Sequence, residues 1–289
     1  MSLPAVVLAR RHIQLATSRA RDLKPNGTNL LKISPKTQRD MRIANLKSAL
    51  LGRPVRFRHD ETTGLFYAHD GAEKHAFGHF RRGRWLYKQG LAQRADALWR
   101  SYTLQNITFS RDDLVIDCGA NYADLWLTLK HHIAPENYIT FEPGQREHLS
   151  IVQNAPKAKA NNLGLGAQNE TITLYVNEKD ADSSFIEPTS YNGTLEIKTV
   201  TLDHYLTTNK IERVKLLKLE AEGFEPEILS GATQVLDRIE YVAIDGGYER
   251  GVSQDQTFTH QANLLAAHSF EMVDINLKWG RALFRNTAV

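Results

Sequence analysis

Three short apolar runs in this sequence end in carboxylates, and the residues immediately after each run decide what chemistry it could do. Leu114-Val115-Ile116-Asp117 leads into Cys118-Gly119-Ala120-Asn121-Tyr122-Ala123-Asp124, and Tyr138-Ile139-Thr140-Phe141 ends in Glu142-Pro143, 25 residues after Asp117. Leu216-Leu217-Lys218-Leu219 ends in Glu220-Ala221-Glu222-Gly223-Phe224-Glu225. A strand that stops at a small-residue turn and re-enters a helix lets a ligand approach the backbone, and Gly119 permits the closest approach. An acid at the end of the next strand can accept hydrogen bonds from the paired hydroxyls of a ribose. Taken singly, Gly119 is a tight connection and Glu142 a solvated strand end. At this spacing Asp117, Gly119, Asn121 and Glu142 read together as a nucleotide-cofactor site. The helix expected after Glu225 explains acids at its own start, because its N-terminus favours negative charge. It does not explain Glu220 and Glu222, which fall at the strand end facing a ligand crevice.

The turn separates two cofactor classes. A dinucleotide needs G-x-G-x-x-G, so that a pyrophosphate can lie on a helix N-terminus. Here a single glycine, Gly119, is followed by the polar Asn121, which disfavours a pyrophosphate and with it an NAD-dependent oxidoreductase. It suits the zwitterionic methionine end of S-adenosylmethionine. Ser183 or Ser184, in a polar loop further on, could line the same site.

The elements that must position these residues can be read from the hydrophobic pattern. Strands are expected at 114–117, 138–142, 214–219, 241–245 and 271–276, and helices at 123–133, 145–153, 225–236 and 258–267. Apolar strands alternating with amphipathic crossovers argue for an α/β, doubly wound, mostly parallel sheet. Residues 171–176 and 196–201 alternate apolar and polar side chains, which suggests an antiparallel edge. Ahead of them, residues 1–40 look loosely organised, with a basic start and turn signals at Lys24–Gly27 and Ser34-Pro35. A helix is expected over 41–51, a hairpin around Thr62-Thr63-Gly64, and a further helix over 85–105. The boundary falls near residue 110, giving an N-terminal helical and hairpin extension (1–110) and an α/β domain (111–289).

In this order and spacing, Asp117–Asn121, Phe141-Glu142-Pro143 and Leu217–Glu225 resemble the FkbM methyltransferases, and Tyr241–Gly251 resembles an acidic segment of a subset of them. The resemblance covers about residues 110–285. It implies a class I, Rossmann-like methyltransferase that moves a methyl group from S-adenosylmethionine to a hydroxyl, on sugars of bacterial glycans or on secondary metabolites. The family usually has glycine at position 123 and aspartate at position 220, where this chain has Ala123 and Glu220. Those departures leave a non-catalytic cofactor-binding protein of the same fold as an alternative. Glu220, Glu222 and Asp245 are the candidates for general base, and Glu220 and Asp245 for holding a magnesium ion, since acids converging without a cation repel one another.

Acceptor recognition is expected from Phe80-Arg81-Arg82-Gly83-Arg84-Trp85-Leu86-Tyr87-Lys88. Trp85 and Tyr87 would supply ring faces, and Arg81, Arg82 and Arg84 charge for an anionic sugar. A solvated basic turn is the plainer reading. On the first reading the extension selects the acceptor, while the α/β domain binds the donor by itself.

Composition bounds the remaining classes. A net charge of +3 over 289 residues gives no concentrated basic face for nucleic acid. The single cysteine, Cys118, permits neither an internal disulfide nor a cysteine-rich zinc site, and the eleven histidines form no close-spaced ligand set. The apolar run Leu3–Ala9 precedes its arginines instead of following them, so no secretory leader and no membrane span is expected. A cytoplasmic protein acting on a small molecule or glycan is the expectation, with homo-oligomerisation left open.

Overall fold

Ser34 and Pro35 begin a helix where the sequence reading has a turn. The Ser34 hydroxyl accepts the Thr37 amide at 3.1 Å, and Pro35 takes the first helical position, where its missing N–H costs nothing. The resulting α1 (Pro35–Leu50) is longer than the helix expected over 41–51. The computed structural model describes residues 32–177 and 183–289, so the basic start and the Lys24–Gly27 turn lie outside the described residues.

The expected hairpin is present as β1 (Val55–His59) and β2 (Phe66–Asp70), and β3 (Glu73–Phe77) adds a third antiparallel strand. Two helices come next, α2 (Phe80–Tyr87) and α3 (Leu91–Ser101). Gly90, at φ 125°, interrupts what the periodicity presents as one helix over 85–105. Val55, Phe57, Phe66 and Phe77 from the sheet pack with Phe80, Tyr87 and Leu91 from these helices, in a core that Tyr122 and Leu127 from the following part of the chain also join.

The remaining elements are β4 (Val115–Cys118), α4 (Trp126–Leu129), β5 (Tyr138–Phe141), α5 (Gln145–Asn154), β6 (Lys159–Asn161), β7 (Gly164–Leu165), β8 (Thr171–Val176), β9 (Gly193–Val200), α6 (Leu202–Thr208), β10 (Val214–Leu219), α7 (Glu225–Ser230), β11 (Ile239–Asp245), β12 (Tyr248–Arg250), β13 (Asp255–Gln256), α8 (Phe258–Ala267), β14 (Phe270–Asn276) and β15 (Arg281–Asn286). Seven strands form the main sheet, in the order β14-β15-β11-β10-β4-β5-β6. All pairings are parallel except those of β15, which runs antiparallel to β11 and β14. Every residue of β4, β5 and β11 is buried, because apolar layers cover both faces. This is the doubly wound, Rossmann-like α/β fold.

From β4 the chain winds outward through β5 and β6, then crosses back to add β10 and β11 on the other side. Such a reversal opens a crevice beyond the carboxyl ends of the central strands. Three details differ from the sequence reading. Residues 171–176 and 196–201 do not edge the main sheet but pair in a separate sheet, β7-β9-β8, while the antiparallel member is the unanticipated β15. The helix expected over 123–133 shrinks to four residues, because Asn121 and Ala123 both take left-handed backbone angles, φ 48° and 58°. The helix expected over 225–236 stops at Ser230, before Gly231.

Candidate functional site

A cleft opens at this reversal, between the carboxyl ends of β4, β5 and β10 and helices α2 and α3. Asp117, Gly119, Asn121, Glu142, Glu220 and Glu222 all line it, so the three acid-tipped strands of the sequence converge on one space.

The β4 turn is shaped by its backbone. Gly119 sits at φ 67°, and a Cβ there would overlap the Glu220 carbonyl oxygen, so only glycine lets β4 and β10 close on each other. The Gly119 amide donates to the Phe141 carbonyl at 2.9 Å. Glu142, at the end of β5, is held by two neutral donors, the Asn121 amide at 2.9 Å and the Gly144 amide at 2.8 Å. Each carboxylate oxygen therefore keeps acceptor capacity, and the residue lines the cleft. Burial, reinforced by the nearby Glu147, pushes the Glu142 carboxyl up to about 8. Asp117 is committed differently. Its oxygens take the Tyr138 hydroxyl at 2.5 Å and the Lys218 ammonium at 2.9 Å, so it braces the strand end.

On the β10 side lies a buried ionic cluster. Lys218 bridges Asp117 and Glu220 (3.0 Å) and donates to the Gly119 carbonyl at 2.9 Å. Arg281, at the start of β15, joins Glu220 and Asp245, each at 2.7 Å, donates to Ser101 at 2.8 Å, and lies over the Tyr102 ring at 4.3 Å. Burial works against ionising Glu220, but Lys218 and Arg281 outweigh it and hold the carboxyl well below its ordinary range. Burial raises Asp245, and Arg281 offsets only part of that.

These contacts correct the metal expectation. Both Glu220 oxygens face protein cations, and Asp245 is occupied by Arg281 and by the Gly247 amide at 3.0 Å. Among the described residues, no group of three or more His, Cys, Asp or Glu is placed to hold a metal. The cation that keeps Glu220 and Asp245 together is Arg281, and a magnesium site at these two acids does not fit. Asp245 stands behind Arg281 and is not part of the cleft wall.

Other expected residues divide. Glu222, in left-handed backbone at φ 51°, is on the wall, its carbonyl anchored by the Ser184 hydroxyl at 2.8 Å. Ser184 is spent on that bond and on the Ile186 amide, and it is Ser183 that reaches the cleft. On α2, Arg82 and Leu86 face the cleft, whereas Arg81, Arg84 and Trp85 lie exposed on the outer side of the helix. Tyr87 is fully buried, its hydroxyl on Asp124 at 2.6 Å, so it offers no ring face to a ligand.

Sequence reasoning missed Asp124 and Arg94. Asp124 is buried and accepts from His75 at 2.9 Å, Tyr87 and the Arg94 Nε at 2.7 Å, tying β3, α2 and α3 to the β4 turn. Burial opposes its charge, but Arg94 and His75 prevail and keep it well below the ordinary carboxylate range. Asp124 appears in the turn motif itself. Its partners lie 49, 37 and 30 residues away, and no local signal marks them.

Residues 117–272, more than half of the chain, match the FkbM methyltransferase domain. The chain belongs to the FkbM methyltransferase family. The matched span runs from Asp117 into β14 and so takes in the β4 turn, Glu142 and the β10 acids. A similar protein is the hexuronic acid methyltransferase AglP of Haloferax volcanii, 23% identical over 141 residues, which is 46% of this chain and 56% of AglP. A solved FkbM methyltransferase from Methylobacillus flagellatus KT aligns with TM-score 0.43 and 18% identity, over 67% of this chain and 50% of that one. An rRNA methylase from Streptococcus thermophilus aligns with TM-score 0.36 and 13% identity, over 65% and 96%. The chain thus spans about half the length of the first two.

Proposed function

We propose that this chain transfers a methyl group from S-adenosylmethionine to a hydroxyl oxygen of a sugar in a glycan or glycoconjugate. The observation that carries the reading is Glu142, a strand-end carboxylate that lines the cleft and keeps acceptor capacity beyond the two neutral amides that hold it. Paired ribose hydroxyls are the donors that fit it. Asp117, Gly119 and Asn121 shape the turn beside it, and Ser183, not Ser184, completes the wall. When bound, the donor supplies a methyl group already activated on a sulfonium, so positioning the acceptor contributes much of the acceleration.

That positioning falls to the β10 end. Glu220, fixed as an anion by Lys218 and Arg281, can accept a hydrogen bond from the acceptor hydroxyl and orient its lone pair along the transfer line. Glu222 on the same wall is the second carboxylate within reach of that proton. Asp245 acts through Arg281, which it holds in place. Residues 1–110 select the acceptor in this reading, with Arg82 inside the cleft and Arg81, Arg84 and Trp85 on the same helix. The hexuronic acid in the name of AglP makes an acidic sugar the first acceptor to try.

S-adenosylhomocysteine should raise the melting midpoint and NAD should not, because only a ligand of the native state stabilises it. Labelled methyl should then appear on a uronic-acid-containing oligosaccharide. Stabilisation by NAD alone would sink the reading.

A further inference from the structure

We propose that Arg94, on α3, holds the carboxylate of the donor's methionine portion, so that the elements ahead of β4 take part in donor binding as well as in acceptor choice. This rests on the donor reading above. Glu142 fixes the ribose at the β5 end of the cleft. A donor laid from there across Gly119 brings its amino-acid end toward β10, where a desolvated carboxylate requires a cation.

Among the described residues, three cationic side chains line the cleft: Arg82, Arg94 and Lys218. Lys218 is committed to Asp117, Glu220 and the Gly119 carbonyl. Glu147 lies beside Glu142 at Gly144, and Arg82 is within electrostatic reach of Tyr122 together with Glu147, which sets Arg82 toward the ribose end. Arg94 is paired with Asp124 and is within electrostatic reach of Glu220, which sets it toward the β10 side.

A guanidinium has five N–H donors in a planar fork. Among the described residues only the Nε of Arg94 is engaged, by Asp124 at 2.7 Å, which leaves the terminal nitrogens to meet a carboxylate. Asp124 is itself locked by His75 and Tyr87, so the guanidinium is set before any ligand arrives. Such preorganisation reduces the ordering cost of binding.

Calorimetry with S-adenosylhomocysteine and 5′-methylthioadenosine tests this, since the second has the same nucleoside and no amino-acid end. Wild-type protein should bind both. Arg94→Ala should weaken S-adenosylhomocysteine by about ten- to a hundredfold and leave 5′-methylthioadenosine nearly unchanged, and Arg94→Lys should recover part of the loss. Unchanged S-adenosylhomocysteine affinity in Arg94→Ala, or an equal fall for both ligands, overturns the proposal. Should Arg94→Ala fail to fold, the wild-type protein still decides: the carboxamide of S-adenosylhomocysteine should bind about tenfold weaker or worse, and equal affinity overturns the assignment. Wild-type protein that binds neither nucleoside removes the donor reading itself, a result distinct from either failure of Arg94.

Discussion

Glu142 and Glu220 end strands on either side of β4, at the same edge of one sheet, and their surroundings treat them in opposite ways. Glu142 has two backbone amides and a neighbouring acid, and burial carries its carboxyl up to about 8. Glu220 has an ammonium and a guanidinium, which hold it ionised. The same residue type at equivalent places therefore becomes, in one case, a carboxyl whose ionisation burial opposes. In the other it becomes an anion fixed by two cations. The difference lies in the kind of partner: Glu220 meets Lys218, two residues away, and Arg281, 61 residues away, whereas Glu142 meets backbone amides, two and 21 residues away.

The largest way to break this contrast is to remove Arg281. Arg281→Met should leave the buried Asp245 and the partly exposed Glu220 beside each other with the cation between them gone. Breaking a buried ion pair from one side costs about 3–5 kcal/mol, which urea unfolding would show. Without Arg281 the folded state should bind protons on these acids more readily than the unfolded chain. Part of the loss should therefore return as pH falls. A cost under about 1 kcal/mol would mean that the cluster does not hold the two strand ends together.

Arg281 also marks where the sequence stops being legible. β4, β5, β10, β11 and β14 are readable because fully or half-buried strands appear as apolar runs, and α8 because its apolar spacing is helical. β15 is not, since Arg281-Ala-Leu-Phe-Arg-Asn offers three apolar residues between polar ends, and its register on β11 is a tertiary fact. Motif order alone places Asp117 and Glu142 in the crevice. The metal expectation has its electrostatics right, in that converging acids need a cation. What the sequence lacks is any sign that an arginine on a later strand supplies it. The helix expected at 123–133 fails because left-handed residues at 121 and 123 consume its first turn, and periodicity carries no information about φ.

A smaller effect sharpens the Glu142 side. A carboxyl whose pKa is raised on folding stabilises most fully below its unfolded value and loses that contribution as pH rises through the folded one. Ligand-free stability should therefore decline between about pH 5 and pH 8, and Glu142→Gln should flatten that decline. The change should be roughly 1–2 kcal/mol, less than the full shift at about 1.4 kcal/mol per unit would give, because part of that shift is an interaction with the neighbouring Glu147. Affinity for S-adenosylhomocysteine should rise with pH over the same window in the wild type and become flat in Glu142→Gln. A pH-independent wild type would show that Glu142 is already ionised and that burial does not control it.

The smallest expected effect concerns Ala123, where the family usually has glycine. Ala123 sits at φ 58°, a conformation that costs an L-residue about 1–2 kcal/mol. Ala123→Gly removes that strain, but it frees the unfolded chain, at about 0.4–1 kcal/mol, and exchanges a fully buried methyl for empty space, at roughly 0.8 kcal/mol. These terms nearly cancel, so stability should move by less than about 1 kcal/mol in either direction. Donor affinity should stay within about twofold, because the neighbouring Asn121 amide is already in place on Glu142. The measurement bears on the comparison directly, since the turn carrying Ala123 supplies one of the two neutral donors that distinguish Glu142 from Glu220. A tenfold gain in donor affinity or turnover in Ala123→Gly would mean that alanine distorts the turn, and that this chain has drifted toward a cofactor-binding protein without catalysis. Near-silence would mean that strained backbone, held by packing on both sides, does here what glycine does in its relatives.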